Sequence, residues 1–140
     1  MSGNVSAHLH ELYDQHGELT PAIVVQAAAP PEHPLHNRFE WNDEKAGHAH
    51  RIDQARGLIR SVRIEFRAPS GERRTAREFL SVGRPEGRTY QPTQEVAVDP
   101  VARAIVEADY QREWRMLRSR WGHLEGFLNM VAADLHREAS

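Results

Sequence analysis

The apolar positions of the first third of the chain recur at helical spacing and predict two short helices. The first runs from Val5 to His16, and Gly17 is suited to end it. The second begins at Leu19-Thr20-Pro21, because Thr20 can cap free amide groups and proline costs no hydrogen bond in a first turn. Pro30-Pro31 ends this helix.

A proline-rich segment, Pro30 to Asn42, separates the second helix from a third. Because it contains Phe39 and Trp41, we expect a loop pinned to the core. Asn42 or Asp43 can cap the third helix, which is predicted to run to about Ser61 with Ile52, Ala55 and Ile59 on its buried face.

The period of the pattern then changes from helical to alternating, which predicts a β-hairpin. Residues 62–67 alternate apolar and polar side chains, and Pro69-Ser70-Gly71 indicates a turn. Residues 78–82 are the predicted partner strand, residues 83–93 a loop, and residues 95–98 a third extended piece.

The last predicted element is a long helix that Asp99-Pro100 begins. Its apolar residues fall at alternating spacings of three and four, the pattern of a helix-packing seam, and Gly122 predicts a break or kink. Such a seam packs on its own domain or forms a homodimer. The candidate interface residues are Trp114, Leu117, Trp121, Leu124, Leu128 and Val131.

Together these elements predict an α+β fold that is mainly α, with three N-terminal helices, a β-hairpin and a long C-terminal helix or α-hairpin. This order is winged-helix-like. We expect a winged-helix-like domain over residues 1–98 and a C-terminal helical packing or dimerisation segment over residues 99–140.

Composition narrows the class of protein. The 140 residues include no cysteine, which excludes disulfides, zinc–thiolate sites, iron–sulfur clusters and thiol nucleophiles. No window approaches the ~18 uninterrupted apolar residues of a membrane span, and the first residues do not resemble a secretory signal. We therefore expect an intracellular protein without a membrane association.

The net charge of −2 conceals a basic middle segment. Residues 1–50 carry a net charge of −5, residues 51–88 carry +5, and residues 89–140 carry −2. A basic segment of this kind can bind a phosphate backbone, although the acidic flanks could equally neutralise the charge of the segment. Residues predicted to contact duplex DNA from the third helix and the hairpin are His48, Arg51, Gln54, Arg56, Arg60, Arg63, Arg73, Arg74 and Arg77.

Metal and catalytic chemistry have weak support in the sequence. His33 and His36, with Glu40 or Asp43, could ligate a metal from a loop, but hydrogen-bonded histidines explain the same pattern. The chain has no phosphate-binding glycine loop, zinc-protease motif or nucleophile elbow. We predict no enzymatic activity, no cofactor and no metal site.

Three stretches of the chain, Gly17 to Pro21, His33 to Asp43 and Gln54 to Ile59, resemble a group of small proteins from tailed phages and prophages. The Pro-Leu-His-x-x-Phe-Glu-Trp run at residues 34–41 is the most distinctive part, and the similarity covers about residues 10–65. The resemblance implies a phage or prophage context, with the protein in the host-cell cytoplasm or in the virion, and assigns no catalytic residues. The leading hypothesis is a phage-associated DNA-binding or regulatory protein. The alternative is a non-enzymatic virion or assembly protein that acts through protein contacts of its C-terminal helix, with a phage structural or host protein as partner.

Overall fold

The structure is a computed structural model and describes residues 2–43 and 47–139. It is α+β and mainly helical, as the sequence predicts. The elements in chain order are α1 (Ser2–His16), α2 (Pro21–Ala28), a 3-10 turn (His36–Arg38), α3 (His48–Ser61), β1 (Arg63–Arg67), β2 (Arg73–Arg77), β3 (Phe79–Arg84), β4 (Gly87–Pro92), α4 (Thr93–Val98), α5 (Pro100–Trp121) and α6 (Glu125–Ala139).

The first three helices form the main core. The predicted start of α2 is confirmed, because the Thr20 hydroxyl accepts a hydrogen bond of 3.1 Å from the Ile23 amide. Gly17 ends α1 with a φ of +74°, a conformation that favours glycine. The largest fully buried side chains of this core are Leu9, Leu19, Val24, Leu35, Ile59, Val62 and Phe79.

The loop between α2 and α3 is pinned to this core, as its aromatic residues predict. Leu35 and Phe39 are buried in the core. The Trp41 indole donates a 2.7 Å hydrogen bond to the His36 carbonyl oxygen, and the Trp41 ring stacks on the His36 imidazole with centroids 4.9 Å apart. The Arg51 guanidinium lies 5.4 Å from the centre of the Trp41 ring. Residues 34–41 therefore have a structural role in this chain.

The start of α3 differs from the prediction. Its cap is Gly47, several residues after Asn42 and Asp43. Asn42 is held by the preceding loop instead, and Asp43 by a side chain of α3. The Asn42 amide donates to the Glu40 carboxylate, and the Asp43 carboxylate pairs with Arg51 at 2.7 Å.

The pairing of the strands also differs from the prediction. Residues 63–67 pair with residues 73–77, while residues 79–84 pair with residues 87–92 in a second antiparallel hairpin. The first hairpin closes early because the turn at residues 68–72 is tight: the Gly71 amide donates to the Ala68 carbonyl oxygen, and Gly71 has a φ of +87°. The second hairpin is joined to the helical core by a bridge between Leu19 and Tyr90.

Residues 95–98, predicted to be extended, belong to the short helix α4. The Asp99 amide closes this turn on the Glu95 carbonyl oxygen, and Val96 is buried against Val82 and Ala102 in a second, smaller core. Asp99 then caps α5 through the amides of residues 101 and 102, as predicted.

The predicted break near Gly122 is confirmed. The amide of Gly122 donates to the Arg118 carbonyl oxygen, and a β-carbon at Gly122 would overlap that oxygen. α5 and α6 are therefore two arms joined by residues 122–124, here called the α-hairpin, and Trp114 and Phe127 stack between the arms with ring centroids 6.3 Å apart. An ion pair between Glu138 and Arg74 ties the end of α6 to β2. Within the described residues, no helix combines the length and the apolar character that crossing a bilayer requires.

Candidate nucleic-acid interface

The hairpin of β1 and β2 is a two-stranded ribbon whose two faces differ sharply in charge. Because side chains alternate across a strand, every second residue of each strand shares a face. One face, here called the arginine face, consists of Arg63, Glu65, Arg67, Arg73, Thr75 and Arg77. All six residues are exposed, and four arginines against one glutamate give the face a net charge of +3.

The four arginines of the arginine face are not neutralised. None of them makes an ion pair with a carboxylate of residues 2–43 or 47–139. Their hydrogen bonds within the ribbon go to neutral acceptors: Arg63 donates to the Thr75 hydroxyl at 3.1 Å, and Arg67 donates to the Gly71 carbonyl oxygen at 3.3 Å. The guanidinium groups thus keep their full charge at the surface.

The strand register places these arginines directly opposite one another. Arg63 faces Arg77 at the base of the ribbon, and Arg67 faces Arg73 near its tip. Like charges in directly opposed positions destabilise a sheet. The ribbon therefore carries two repulsive cross-strand pairs, which a bound polyanion would relieve.

The opposite face of the ribbon is apolar and neutralised. It carries Ile64 and Phe66 from β1, and Ala76 and Arg74 from β2. Arg74 pairs with Glu72 and with Glu138, and the hydrogen bond to Glu72 raises the pKa of its guanidinium. Arg74, a predicted DNA contact, therefore lies on the other face from Arg73.

The sequence contains a signal that separates these arginines. Adjacent residues of a strand point to opposite faces, so Arg73 and Arg74 cannot both belong to one flat surface. The same alternation adds Arg67, which the predicted contacts omit, to the face of Arg63. The alternation rule assigns these arginines to faces only when residues 63–67 are known to pair with residues 73–77.

The predicted contacts on α3 are divided between the open surface and the loop before α3. Arg51 is held by Asp43 and Trp41 with its side chain only 12% exposed, and the Gln54 side chain accepts a hydrogen bond from the Glu40 amide. Arg56 is exposed but pairs with Asp53 at 2.8 Å. His48 and Arg60 are exposed.

Arg60 is the α3 residue that extends the basic surface. It lies in the last turn of α3, three residues before β1 begins, and makes no ion pair with a described carboxylate. The structure thus brings the candidate charge together on the ribbon and at the adjoining end of α3, while Arg51 and Gln54 hold the loop before α3.

The candidate interface residues of the C-terminal segment remain largely at the surface. Trp114, Leu117, Trp121, Leu124 and Leu128 are each between 40% and 48% exposed, and Val131 is half-buried. The α-hairpin distributes them over both of its arms. Within the described residues, these side chains form no hydrogen bond or ion pair with the arginine face.

The histidines singled out in the sequence are engaged locally. The His33 ring accepts a hydrogen bond from the Leu35 amide, and the His36 ring bonds the Ala28 carbonyl oxygen at 2.8 Å. Among residues 2–43 and 47–139, no three histidine, aspartate or glutamate side chains come together in a group that could hold a metal ion.

Comparison with known proteins gives no family assignment. No family model matches the chain, and neither a curated protein nor a solved structure matches it.

Proposed function

We propose that this protein binds duplex DNA through the arginine face of its ribbon, in a phage- or prophage-associated regulatory role. The observation that carries the proposal is the set of four exposed arginines on one face, none of them paired with a described carboxylate. Arginine suits this role because its planar guanidinium binds phosphates and guanine edges in bidentate fashion.

The dimensions of the ribbon fit a DNA groove. The major groove of B-DNA is about 12 Å wide and admits a two-stranded β-ribbon. Arg63 and Arg67 are four residues apart, so the base and the tip of the ribbon are about 13 Å apart along the strand. A ribbon laid across the groove presents one arginine pair to each phosphate backbone.

The centre of the same face carries groups suited to base edges. Glu65 and Thr75 lie opposite each other between the two arginine pairs. A glutamate can accept a hydrogen bond from the cytosine amino group, and threonine can donate or accept. The outer arginines would position the protein, and the two central side chains would contact the bases.

Duplex DNA fits this ribbon better than duplex RNA. The major groove of A-form RNA is deep and too narrow for protein side chains to read. An exposed ribbon two strands wide has no matching surface there, whereas B-DNA accommodates it.

The test is fluorescence anisotropy with a labelled random duplex of about 30 bp at low salt. The variant replaces Arg63, Arg67, Arg73 and Arg77 with glutamine. A matched control replaces Arg38, Arg103, Arg112 and Arg137, which lie outside the ribbon, with glutamine. Both variants lose the same net charge.

We expect the ribbon variant to lose at least tenfold in affinity and the control to lose much less. Equal losses in the two variants would mean that net charge alone drives association. Absence of binding by the unmodified protein would remove the proposal. Tighter binding to duplex RNA than to duplex DNA would assign the face to RNA instead.

A second candidate function, a virion or assembly role through protein contacts, is favoured by the exposed apolar side chains of α5 and α6. Aromatic residues such as Trp114 and Trp121 are common anchors of protein interfaces. Co-purification of a stoichiometric heterologous partner, lost when both tryptophans are replaced by serine, would support this role.

A further inference from the structure

The α-hairpin leaves a large apolar surface without a partner among the described residues. Trp114 and Phe127 stack across its two arms, yet Trp114 remains 40% exposed. Further apolar side chains of the two arms that are between 40% and 64% exposed are Tyr110, Met116, Leu117, Trp121, Leu124, Leu128, Met130 and Leu135.

The exposed apolar area matches one half of a stable protein interface. Residues of this size each present roughly 200 Å² when free. Met116 lies on the side of α5 away from the seam, so the other eight, at about half exposure, offer on the order of 800 Å². One partner contributes about 800 Å² to an interface of standard size, and the largest apolar patch of a typical monomer is about 300–600 Å². A surface this large indicates a protein partner.

The shape of this surface fits a helix. Leu117, Trp121, Leu124, Phe127 and Met130 line a groove of about 470 Å³ between the arms. The apolar residues also repeat at spacings of three and four, the pattern by which helices pack against helices. A groove between two rows of apolar side chains at this spacing is suited to bind the side chains of another helix.

The two arms are complementary in charge to each other. Residues 112–121 of α5 carry four arginines and one glutamate, a net charge of +3. Residues 125–139 of α6 carry three acidic residues and one arginine, a net charge of −2. Asp134 pairs with Arg137 and Glu138 pairs with Arg74, whereas Glu125 makes no ion pair with a described cation. Arg115, Arg118 and Arg120 make no ion pair with a described carboxylate. The surface therefore attracts another copy of itself when the unpaired arginines of α5 in one copy lie beside Glu125 of α6 in the other.

We propose that the α-hairpin docks with a second copy of this chain, forming a four-helix bundle in which α5 of each copy packs against α6 of the other. In such a two-fold dimer the same surface patch of each copy forms the interface, and the opposite charges of the two arms lie next to each other. An anionic membrane surface is disfavoured as the occupant because α6 is acidic. This proposal does not depend on DNA binding.

The dimer is tested by sedimentation velocity of the full chain at micromolar concentration. The variant replaces Leu117 and Leu128, one on each arm, with glutamate. Met116→Glu is the matched control, because Met116 is 57% exposed and points about 100° away from Leu117 around α5, on the side away from the seam. Far-UV circular dichroism of each variant establishes that it is folded.

We expect the unmodified protein and Met116→Glu to sediment at twice the 16.0 kDa chain mass, and the double variant at the chain mass. Replacing Arg115, Arg118 and Arg120 with glutamine should weaken the dimer at least tenfold while the protein remains folded. A monomeric unmodified protein, a dimer that survives the double substitution, or co-sedimentation with vesicles of anionic phospholipid would each overturn the proposal.

Discussion

Reversing one charge of the arginine face should stabilise the protein and weaken its binding to DNA. In Arg73→Glu, the repulsive pair of Arg67 with Arg73 becomes an attractive pair in the same register. Cross-strand charge pairs contribute roughly 0.2–1 kcal/mol, and exposed ion pairs lie in the lower part of that range. Because the substitution both removes a repulsion and adds an attraction of this size, we expect the free energy of unfolding to rise by about 0.5–1 kcal/mol.

DNA binding should change in the opposite direction. The substitution lowers the net charge of the arginine face from +3 to +1. A charge-assisted hydrogen bond contributes about 1.5–3 kcal/mol, so its loss, together with the new repulsion from phosphate, should weaken binding at least tenfold.

Stability is measured by urea unfolding followed by far-UV circular dichroism, at low and high salt. Because the ribbon projects from the core, amide hydrogen exchange over residues 63–77 gives a local readout as well. The stabilisation should shrink at high salt, where exposed charges are screened. Arg73→Gln, which removes the repulsion without adding attraction, should fall between the parent and the glutamate variant.

A loss of stability in Arg73→Glu would refute this reasoning. It would mean that Arg73 contributes to folding through its own packing, and that the opposed arginines carry no stored repulsion. Increased stability with unchanged DNA affinity would separate the two arguments, leaving the electrostatics of the ribbon intact and removing the arginine face from the DNA contact.

Three further predictions concern the fold. Gly57→Ala should raise the free energy of unfolding by about 0.5–1 kcal/mol, measured by urea titration, because glycine weakens a helix interior. A β-carbon at Gly57 meets no described atom within 4 Å, so the alanine side chain fits without a clash. A loss of stability would contradict this expectation. Thr20→Ala should lower the free energy of unfolding by about 1 kcal/mol, because the substitution removes the cap on α2. The same urea titration measures this loss, and an unchanged free energy would show that the cap is redundant. Burial, followed by a hydrogen bond with Glu95, raises the pKa of Tyr13 to about 12 from 10.0, so the phenol stabilises the fold below pH 10 and this contribution is lost as the pH rises through 12. Phenolate absorbance of the parent minus that of Tyr13→Phe should titrate near pH 12, and titration near 10 would be inconsistent with this environment.

Elements whose signals are local could be predicted from the sequence. The starts of α2 and α5 depend on a capping side chain followed by proline, and both caps form as expected. The break at Gly122 follows from the cost of about 1 kcal/mol that glycine imposes on a helix interior. Each of these features involves residues within four positions of one another.

Features that depend on distant partners could not be predicted in this way. Strand β2 has the sequence Arg-Arg-Thr-Ala-Arg, and with both faces largely at the surface it has no alternation of apolar residues to reveal it. The Val-Ala-Val of α4 resembles a strand until its packing against Val82 is known. Arg51 and Gln54 are typical of a DNA-reading helix, but the loop before α3 engages both.

The dependence of DNA affinity on salt shows most directly whether the arginine face contacts phosphates. Each neutralised phosphate contributes about −0.9 to the slope of log K against log salt concentration, so four arginine contacts predict a slope of about −3.6. Between about 50 and about 200 mM NaCl, the affinity of the unmodified protein should then fall by roughly 100-fold. The variant with glutamine at Arg63, Arg67, Arg73 and Arg77 should have a slope near zero. A slope that is the same in both proteins would contradict the account, because the phosphate contacts would then lie elsewhere on the molecule.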